Sequence, residues 1–351
     1  MNANKMIVLV LILVALAGGV VAQQSQQKGG GDETGPYEVV PNWPIPLHND
    51  GWKWGITEGV WAESPDRVWV LQRGEVYVPK PPSGTDPRVS ALGMKPRHEH
   101  LVLIFNREGK LVESWEQNND KFKDPHRIRV NPNDPEHHIW FTDEEAHQVT
   151  EFTHDGKLVL SLGEFGVQGT DKTHFFRPTD IAFLPNGDFF VADGRGGTRV
   201  VKFSKDGKYL MEWGKPGKGP GEFNTLHSIA VDANRRVYVA DRGNSRIQVF
   251  DENGKFLDQW TDIRSPNFIH ISKDQFVWVC DGVTNKILKY DRNGKLLYSW
   301  GTYGDFPGAI WSPHQFSVDS EGNFYIAEAY NGRSQKFRPK PGADPDKLVK
   351  Q

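Results

Sequence analysis

Short alternating runs of apolar residues recur along the chain and predict β-strands. Val-Tyr-Val-Ala-Asp at Val237 and Ile-Gln-Val-Phe at Ile247 are two such runs, and polar turn residues bound each of them. The repeating part of the chain lacks the three-to-four-residue spacing of apolar side chains that marks an amphipathic helix. The pattern therefore predicts an all-β chain of many short strands.

A turn between two of these strands repeats along most of the chain. Its core is an Asn-Gly-Lys or Asp-Gly-Lys sequence, once Glu-Gly-Lys, and the turn glycines are 40 to 51 residues apart. These glycines are Gly109, Gly156, Gly207, Gly254 and Gly294. Glycine suits such hairpin turns because it enters positive φ without a Cβ clash. A repeat of about 40–50 residues with four short strands is typical of propeller blades.

A second marker of the repeat is an acidic residue at the end of an apolar strand, followed nine or ten residues later by an aromatic residue. The acids are Asp143, Asp193, Asp241, Asp281 and Glu328. We therefore predict a six-bladed β-propeller whose blades begin near Trp52, Phe122, Thr173, Phe223, Ile263 and Ala309. The last blade lacks a fourth strand of its own, so we expect residues 37–46 to supply it and close the ring.

The N-terminal residues predict export from the cytoplasm. Lys5 precedes an apolar run over residues 6–17, and Val20-Val21-Ala22 supplies small residues for cleavage before Gln23. We therefore predict a signal peptide at residues 1–22 and a secreted or periplasmic protein. The apolar run is too short to favour a permanent membrane span, although a retained N-terminal anchor is the alternative.

Composition narrows the class further. We expect a disordered leader at residues 23–36, the propeller at residues 37–340 and a flexible tail at residues 341–351. The net charge is −3 with both signs interspersed, which argues against a nucleic-acid partner. Cys280 is the single cysteine, so an intramolecular disulfide is impossible and stability must come from the core.

Three of the twelve histidines fall at one position of the repeat. His126, His227 and His314 each follow the first residue of the innermost strand, in blades two, four and six. Alternate blades of a six-fold ring are 120° apart, so the three imidazoles should converge on the axis. Three neutral imidazoles with a fourth position open are typical of catalytic zinc. The alternative is a chance alignment of hydrogen-bonded histidines.

The chain resembles the peptidyl-α-hydroxyglycine α-amidating lyase family from about Gly55 to Phe337. The run Ala240 to Phe250 also resembles an NHL repeat, which is a weaker signal. The stretches that carry the family resemblance are Gly59-Val60, Leu71-Gln72-Arg73-Gly74, Pro125-His126, Ala146-His147-Gln148-Val149, the run from His174 to Asp180, Leu226-His227-Ser228, Ala240-Asp241-Arg242 and Pro313-His314. The resemblance implies cleavage of a peptidyl-α-hydroxyglycine into a peptide amide and glyoxylate.

The resemblance also implies roles for individual residues. His126, His227 and His314 match the zinc ligands, while Arg73 and Arg242 match two arginines that serve the substrate. Strand counting places both arginines on the face of the propeller where the inner strands begin, although Arg242 also fits an ordinary surface arginine.

A structural calcium is implied at the backbone carbonyls of Val60 and Ile128, with a carboxylate next to the third histidine. Gln315 stands in place of that carboxylate, so we expect calcium binding to be weak or lost.

The catalytic base is the main departure from this family. Its tyrosine should fall at Arg195, and arginine is a poor base. Tyr330 and Glu145 occupy the equivalent loop positions of blades six and two, and we take them as candidate bases. Arg195 would add a third positive charge to the channel, which favours a more anionic substrate.

Three functions stay open from the sequence. The first is a zinc-dependent lyase acting on a peptide or small molecule with a C-terminal carboxylate. The second is another zinc-dependent hydrolase or lyase on the same propeller. The third is a non-catalytic NHL module that binds its ligands on the blade rims. None of the three requires a stable membrane span after signal cleavage.

Overall fold

Six antiparallel four-stranded sheets are arranged as the blades of a propeller, which confirms the predicted fold. The computed structural model describes residues 31–32, 35–48, 52–77 and 95–351, so the predicted signal peptide lies outside the described residues. In blades one to five the chain runs from the innermost strand to the outermost. The inner strand of blade six packs against that of blade one, and the ring is closed.

The strands of each blade follow from inside to outside. Blade one has Thr57–Ser64, Arg67–Gln72, Val102–Phe105 and Leu111–Ser114, and blade two has Pro125–Val130, Ile139–Asp143, Gln148–Phe152 and Leu158–Leu162. Blade three has Pro178–Phe183, Phe189–Asp193, Arg199–Phe203 and Tyr209–Trp213, and blade four has Leu226–Val231, Val237–Asp241, Arg246–Phe250 and Phe256–Trp260. Blade five has Pro266–Ile271, Val277–Asp281, Lys286–Tyr290 and Leu296–Trp300, with the short Gly31–Asp32 parallel to its edge. Blade six has Pro313–Val318, Phe324–Glu328, Arg333–Pro339 and Tyr37–Val39.

The described helices are all short 3-10 turns. They are Glu116–Lys121, Arg242–Asn244 and Pro345–Lys347. Within the described residues, no helix has the length and apolar character needed to cross a bilayer.

An N-terminal strand closes the ring, as predicted. Tyr37–Val39 pairs antiparallel with Arg333–Pro339 and becomes the outer strand of blade six. The ring of Tyr37 is 1% exposed and packs between Trp300 and Phe324. Strand closure of this kind satisfies an edge that would otherwise expose unpaired backbone groups.

The C-terminal segment differs from the expected flexible tail. The 3-10 turn Pro345–Lys347 leads to Val349, which is buried in the core cluster beside blade five and blade six. The backbone N–H of Val349 donates to the hydroxyl of Tyr37 at 3.1 Å. Composition suggested disorder here, but two apolar residues at the very end are enough to pack the segment onto the closing strand.

The inner strand of blade one begins five residues after the predicted blade start at Trp52, the same offset as in blade three. Trp52–Trp54 pairs with Glu75–Tyr77 as a separate two-stranded sheet, and the inner strand starts at Thr57. The N–H of Gly55 donates to the carbonyl of Gly74 at 2.7 Å, and this contact joins the two-stranded sheet to the blade. The insertion at residues 78–94 lies outside the described residues.

The acidic repeat marker has a structural role. Each of these side chains is buried at the end of the second strand and accepts backbone N–H groups from the loop that enters the same blade. Asp143 accepts from Lys123 and Asp124, and Asp281 accepts from Arg264 and Ser265. The marker therefore ties together the two loops that form one face of each blade.

Candidate metal centre and arginine cluster

The three aligned histidines meet on the propeller axis. His126, His227 and His314 are 0%, 0% and 3% exposed. The Nε2 atom of His227 lies 3.3 Å from Nε2 of His126 and 3.3 Å from Nε2 of His314. The sequence-based expectation that these residues converge thus agrees with the geometry.

A β-bulge at the second residue of every inner strand explains why these side chains point to the axis. Strand pairing skips that residue in all six blades. The skipped residues are Glu58, His126, Thr179, His227, Asn267 and His314. A bulge leaves its residue unpaired and redirects its side chain, so the six bulges form a ring around the channel.

Each histidine is held by the blade that follows it. The Nδ1–H groups of His126, His227 and His314 donate to the carbonyls of Thr179, Asn267 and Glu58 at 2.7, 2.8 and 2.7 Å. A carbonyl only accepts, so each neutral imidazole carries its free lone pair on Nε2, facing the axis. Metal-binding histidines are commonly oriented by such second contacts. The sequence reasoning did not foresee that the blades without histidine supply these acceptors.

The surroundings favour neutral imidazoles. Burial first, and then the charge of His314, lowers the pKa of His126 well below its ordinary value. Burial and Arg242 do the same for His227, while burial lowers the pKa of His314 against the opposing effect of Glu58. A tetrahedral ion with Zn–N bonds of about 2.0–2.1 Å requires nitrogens roughly 3.3–3.4 Å apart. The two measured separations of 3.3 Å therefore fit a zinc ion.

Arg73 lies among carboxylates on the predicted face. Its Nε is 2.9 Å from Oε1 of Glu58 and 2.9 Å from Oδ1 of Asp124, and its Nη2 is 3.5 Å from Oε2 of Glu144. Although burial opposes it, Arg73 together with His314 lowers the pKa of Glu58 to about 2. Burial raises the pKa of Asp124 to about 7. The charge of Arg73 is thus compensated before any ligand arrives.

Arg242 differs from Arg73 in having no carboxylate partner. It begins the 3-10 turn after the second strand of blade four, and its Nη1 is 3.5 Å from Oδ1 of Asn267. Asn267 also holds His227, so one residue links this arginine to the triad. Among the described carboxylates none lies within 4.0 Å of Arg242. Burial, followed by repulsion from Arg195, lowers the pKa of Arg242 to about 10.

Glu144 is a channel residue that the sequence analysis did not single out. Its side chain is 0% exposed, and its Oε1 lies 3.2 Å from Nε2 of His126 and 2.7 Å from Nε of Arg195. Burial raises the pKa of this carboxyl, against the opposing charges of Arg73 and Arg195. Two glutamates follow Asp143 in the sequence, and only the path of the turn decides which of them faces the channel.

The two predicted candidate bases lie farther out. Glu145 is 50% exposed at its side chain and pairs with Nη2 of Arg177 at 2.5 Å. Tyr330 is 39% exposed, although its phenol is close enough to influence the pKa of Arg242. Arg195 does reach the channel, but Glu144 compensates its charge, so it does not add the free positive charge that we expected.

A side chain contacts one of the two carbonyls that were predicted to bind calcium. Nε2 of Gln315 donates to the carbonyl of Ile128 at 2.9 Å, and Val60 is buried in the neighbouring inner strand. The guanidinium of Arg127 is 0% exposed and donates to the carbonyls of His314, His227 and Asn267 at 2.9, 3.2 and 3.0 Å. The sequence analysis did not assign Arg127 a role.

The fold and the site together define a six-bladed propeller with a histidine-lined axial channel. The sequence matches the family described as a 6-bladed beta-propeller over residues 142–332, more than half of its length, and the chain belongs to that family.

Individual relatives cover part of the chain. NHL repeat-containing protein 3 of Mus musculus is 37% identical over 151 residues, covering 41% of this chain and 43% of that protein. Peptidyl-alpha-hydroxyglycine alpha-amidating lyase 1 of Drosophila melanogaster is 36% identical over 139 residues, covering 39% of this chain and 23% of that protein. The chain thus spans less than half the length of these two relatives.

A solved structure titled as streptogramin B lyase superimposes with a TM-score of 0.54 at 16% identity, over 87% of this chain and 97% of the other. At that identity the likeness concerns the fold alone.

Proposed function

We propose that this protein is a zinc-dependent carbon–nitrogen lyase that cleaves an N-acyl- or peptidyl-α-hydroxyglycine into an amide and glyoxylate. The partial similarity to amidating lyases supports this reaction over other zinc chemistry. The observation that carries the proposal is the imidazole triad next to Arg242, an arginine without a carboxylate partner among the described residues. If the predicted signal peptide is cleaved, the enzyme acts in the periplasm or outside the cell.

Arg242 is the group best suited to bind the substrate carboxylate. A guanidinium presents paired N–H donors that match the two oxygens of a carboxylate. Arg73 already contacts Glu58, Asp124 and Glu144, so its first role is to hold these acids in place. The carboxylate of a substrate anchored at Arg242 would lie close to His227, because Asn267 contacts both residues.

The reaction needs no external oxidant or reductant. The hydroxyl proton leaves, the oxygen electron pair forms the aldehyde C=O, and the C–N bond breaks with its electron pair moving to nitrogen, which takes up a proton. Zinc held by His126, His227 and His314 would lower the pKa of a hydroxyl presented to it. The triad is buried, and a surrounding of low dielectric constant strengthens the charge interactions of the arginines.

The test is glyoxylate release from N-acetyl-α-hydroxyglycine by purified mature protein, before and after zinc removal and re-addition. We expect turnover that depends on about one zinc per chain and is lost in His227→Ala. His174→Ala is the matched control, since His174 is a partly exposed histidine that pairs with Asp171 on the surface. Zinc binding without glyoxylate release would exclude this reaction and leave another zinc-dependent activity.

The similarity to NHL repeat-containing protein 3 favours a second candidate, a non-catalytic binding module. That function predicts no zinc-dependent turnover, and ligand binding that neither chelation nor His227→Ala alters. The same preparations therefore separate the two functions.

A further inference from the structure

Glu144 lies beside His126 of the triad and has an unusual set of neighbours. Both of its carboxylate oxygens are buried and lack a hydrogen bond of normal geometry within the described part of the chain. Ion pairs surround it instead: Nε of Arg195 at 2.7 Å from Oε1, and Nη2 of Arg73 and of Arg177 at 3.5 and 3.6 Å from Oε2. The oxygens therefore keep free accepting capacity, since a carboxylate offers about four lone-pair positions.

The contact between Glu144 and His126 places that capacity next to the candidate metal ligands. Oε1 is 3.2 Å from Nε2 of His126, whose only N–H is directed to the carbonyl of Thr179. Neither atom of this contact therefore supplies a hydrogen to the other. The contact therefore contains no hydrogen-bond donor. A substrate hydroxyl bound at the open position of the triad would supply one.

Arg195 explains why Glu144 is held at this place. Arg195 stands at the position where the lyase resemblance implies a catalytic tyrosine. Arginine itself is a poor proton acceptor, but its Nε lies 2.7 Å from Oε1 of Glu144 and forms an ion pair with it. Arg195, at the sequence position of that tyrosine, is therefore paired with a buried carboxylate beside the triad.

We propose that Glu144 is the proton acceptor of the lyase reaction and that Arg195 positions it. Oε1 of Glu144 takes the proton of the α-hydroxyl as the aldehyde forms and the C–N bond breaks. The same proton then passes to the departing amide nitrogen, which restores the carboxylate and balances the reaction. This inference rests on the proposed lyase function, and it replaces Glu145 and Tyr330 as candidate bases.

The main test is Glu144→Gln, which preserves shape and removes the accepting carboxylate. We expect kcat to fall by about 10²- to 10⁴-fold, the usual contribution of a general base. Zinc content and the Kd for N-acetylglycine, which lacks the hydroxyl, should stay at the wild-type values. Glu145→Gln is measured beside it. If Glu144→Gln retains full kcat, or if Glu145→Gln alone loses turnover, the assignment is overturned.

A second series tests the positioning role of Arg195. Arg195→Met should lower kcat about tenfold or more and leave KM nearly unchanged, because Glu144 loses its orienting contact. A rise in KM with unchanged kcat would show instead that Arg195 binds substrate. If a tyrosine at position 195 can do the work of Glu144, the double variant Glu144→Gln/Arg195→Tyr should regain part of the lost kcat. A double variant that regains no kcat would contradict this equivalence.

These outcomes separate this inference from the function on which it rests. If the wild-type protein binds zinc but releases no glyoxylate, both the lyase function and the role of Glu144 are excluded. If the wild-type protein turns over and the Glu144→Gln variant is equally active, only the role of Glu144 is excluded. If Glu144→Gln does not fold, Glu144→Asp is measured instead. Its carboxylate is withdrawn by one methylene, so kcat should fall while the zinc content stays at the wild-type value.

Discussion

Replacing Arg242 by methionine should separate substrate binding from stability. The two arginines on the channel face differ in one respect: Arg73 contacts three carboxylates, and Arg242 has none within 4.0 Å among the described residues. Methionine keeps much of the length and apolar stem of arginine while removing its charge. Arg242→Met should therefore weaken substrate recognition without destabilising the fold, whereas Arg73→Met should destabilise it.

The magnitudes follow from the two environments. Losing two charge-assisted hydrogen bonds to a substrate carboxylate costs about 3–4 kcal/mol, which lowers kcat/KM by about 10²- to 10³-fold. Removing Arg73 leaves Glu58 and Glu144 buried without their main cation, which costs about 3 kcal/mol. In a chain of this size that loss lowers Tm by roughly 5 °C or more.

The assay combines thermal unfolding with kinetics on two substrates. The first is N-acetyl-α-hydroxyglycine and the second is its carboxamide, which has no negative charge. Arg242→Met should lose kcat/KM on the acid and little on the carboxamide, with Tm at or above the wild-type value. An equal loss on both substrates, or a clear fall in Tm, would refute the reasoning that Arg242 awaits an anion.

Four further predictions concern the rest of the molecule. Burial lowers the pKa of His270 to about 4, so the unfolded chain takes up this proton first. The contribution of His270 is complete above pH 6.5 and falls by about 3 kcal/mol on the way to pH 4. Urea unfolding of His270→Gln should show a correspondingly flatter pH dependence than wild type, and an identical slope would contradict this. Tm should not respond to calcium or a calcium chelator, because Nε2 of Gln315 already donates to the carbonyl of Ile128 and Gln315 offers no carboxylate. Arg127→Met should cost about 3 kcal/mol by leaving the buried carbonyls of His314, His227 and Asn267 without this donor. Deleting residues 348–351 should lower Tm by several degrees, since Val349 packs against the closing strand, whereas an unchanged Tm would show that the tail contributes nothing.

Much of the fold and the triad could be predicted because both depend on periodic signals. The Gly-Lys turns recur in blades one to five and the buried acids in blades two to six, so the two spacings together predict a propeller of six blades. His126, His227 and His314 share one position in that repeat, and symmetry carries them to a common axis. The missing outer strand of blade six likewise predicted closure by the N-terminal segment, because an unpaired edge is unfavourable.

Only the tertiary structure determined the orientation of side chains that leave a loop, and with it the contacts that these side chains make. Glu144 and Glu145 are adjacent and chemically alike, yet the turn buries one beside His126 and exposes the other to Arg177. Arg73 and Arg242 match the same family feature, but only the packed neighbours reveal which of them is already neutralised. Periodicity determines where a residue lies around the ring, whereas burial and charge pairing arise from contacts between blades far apart in sequence.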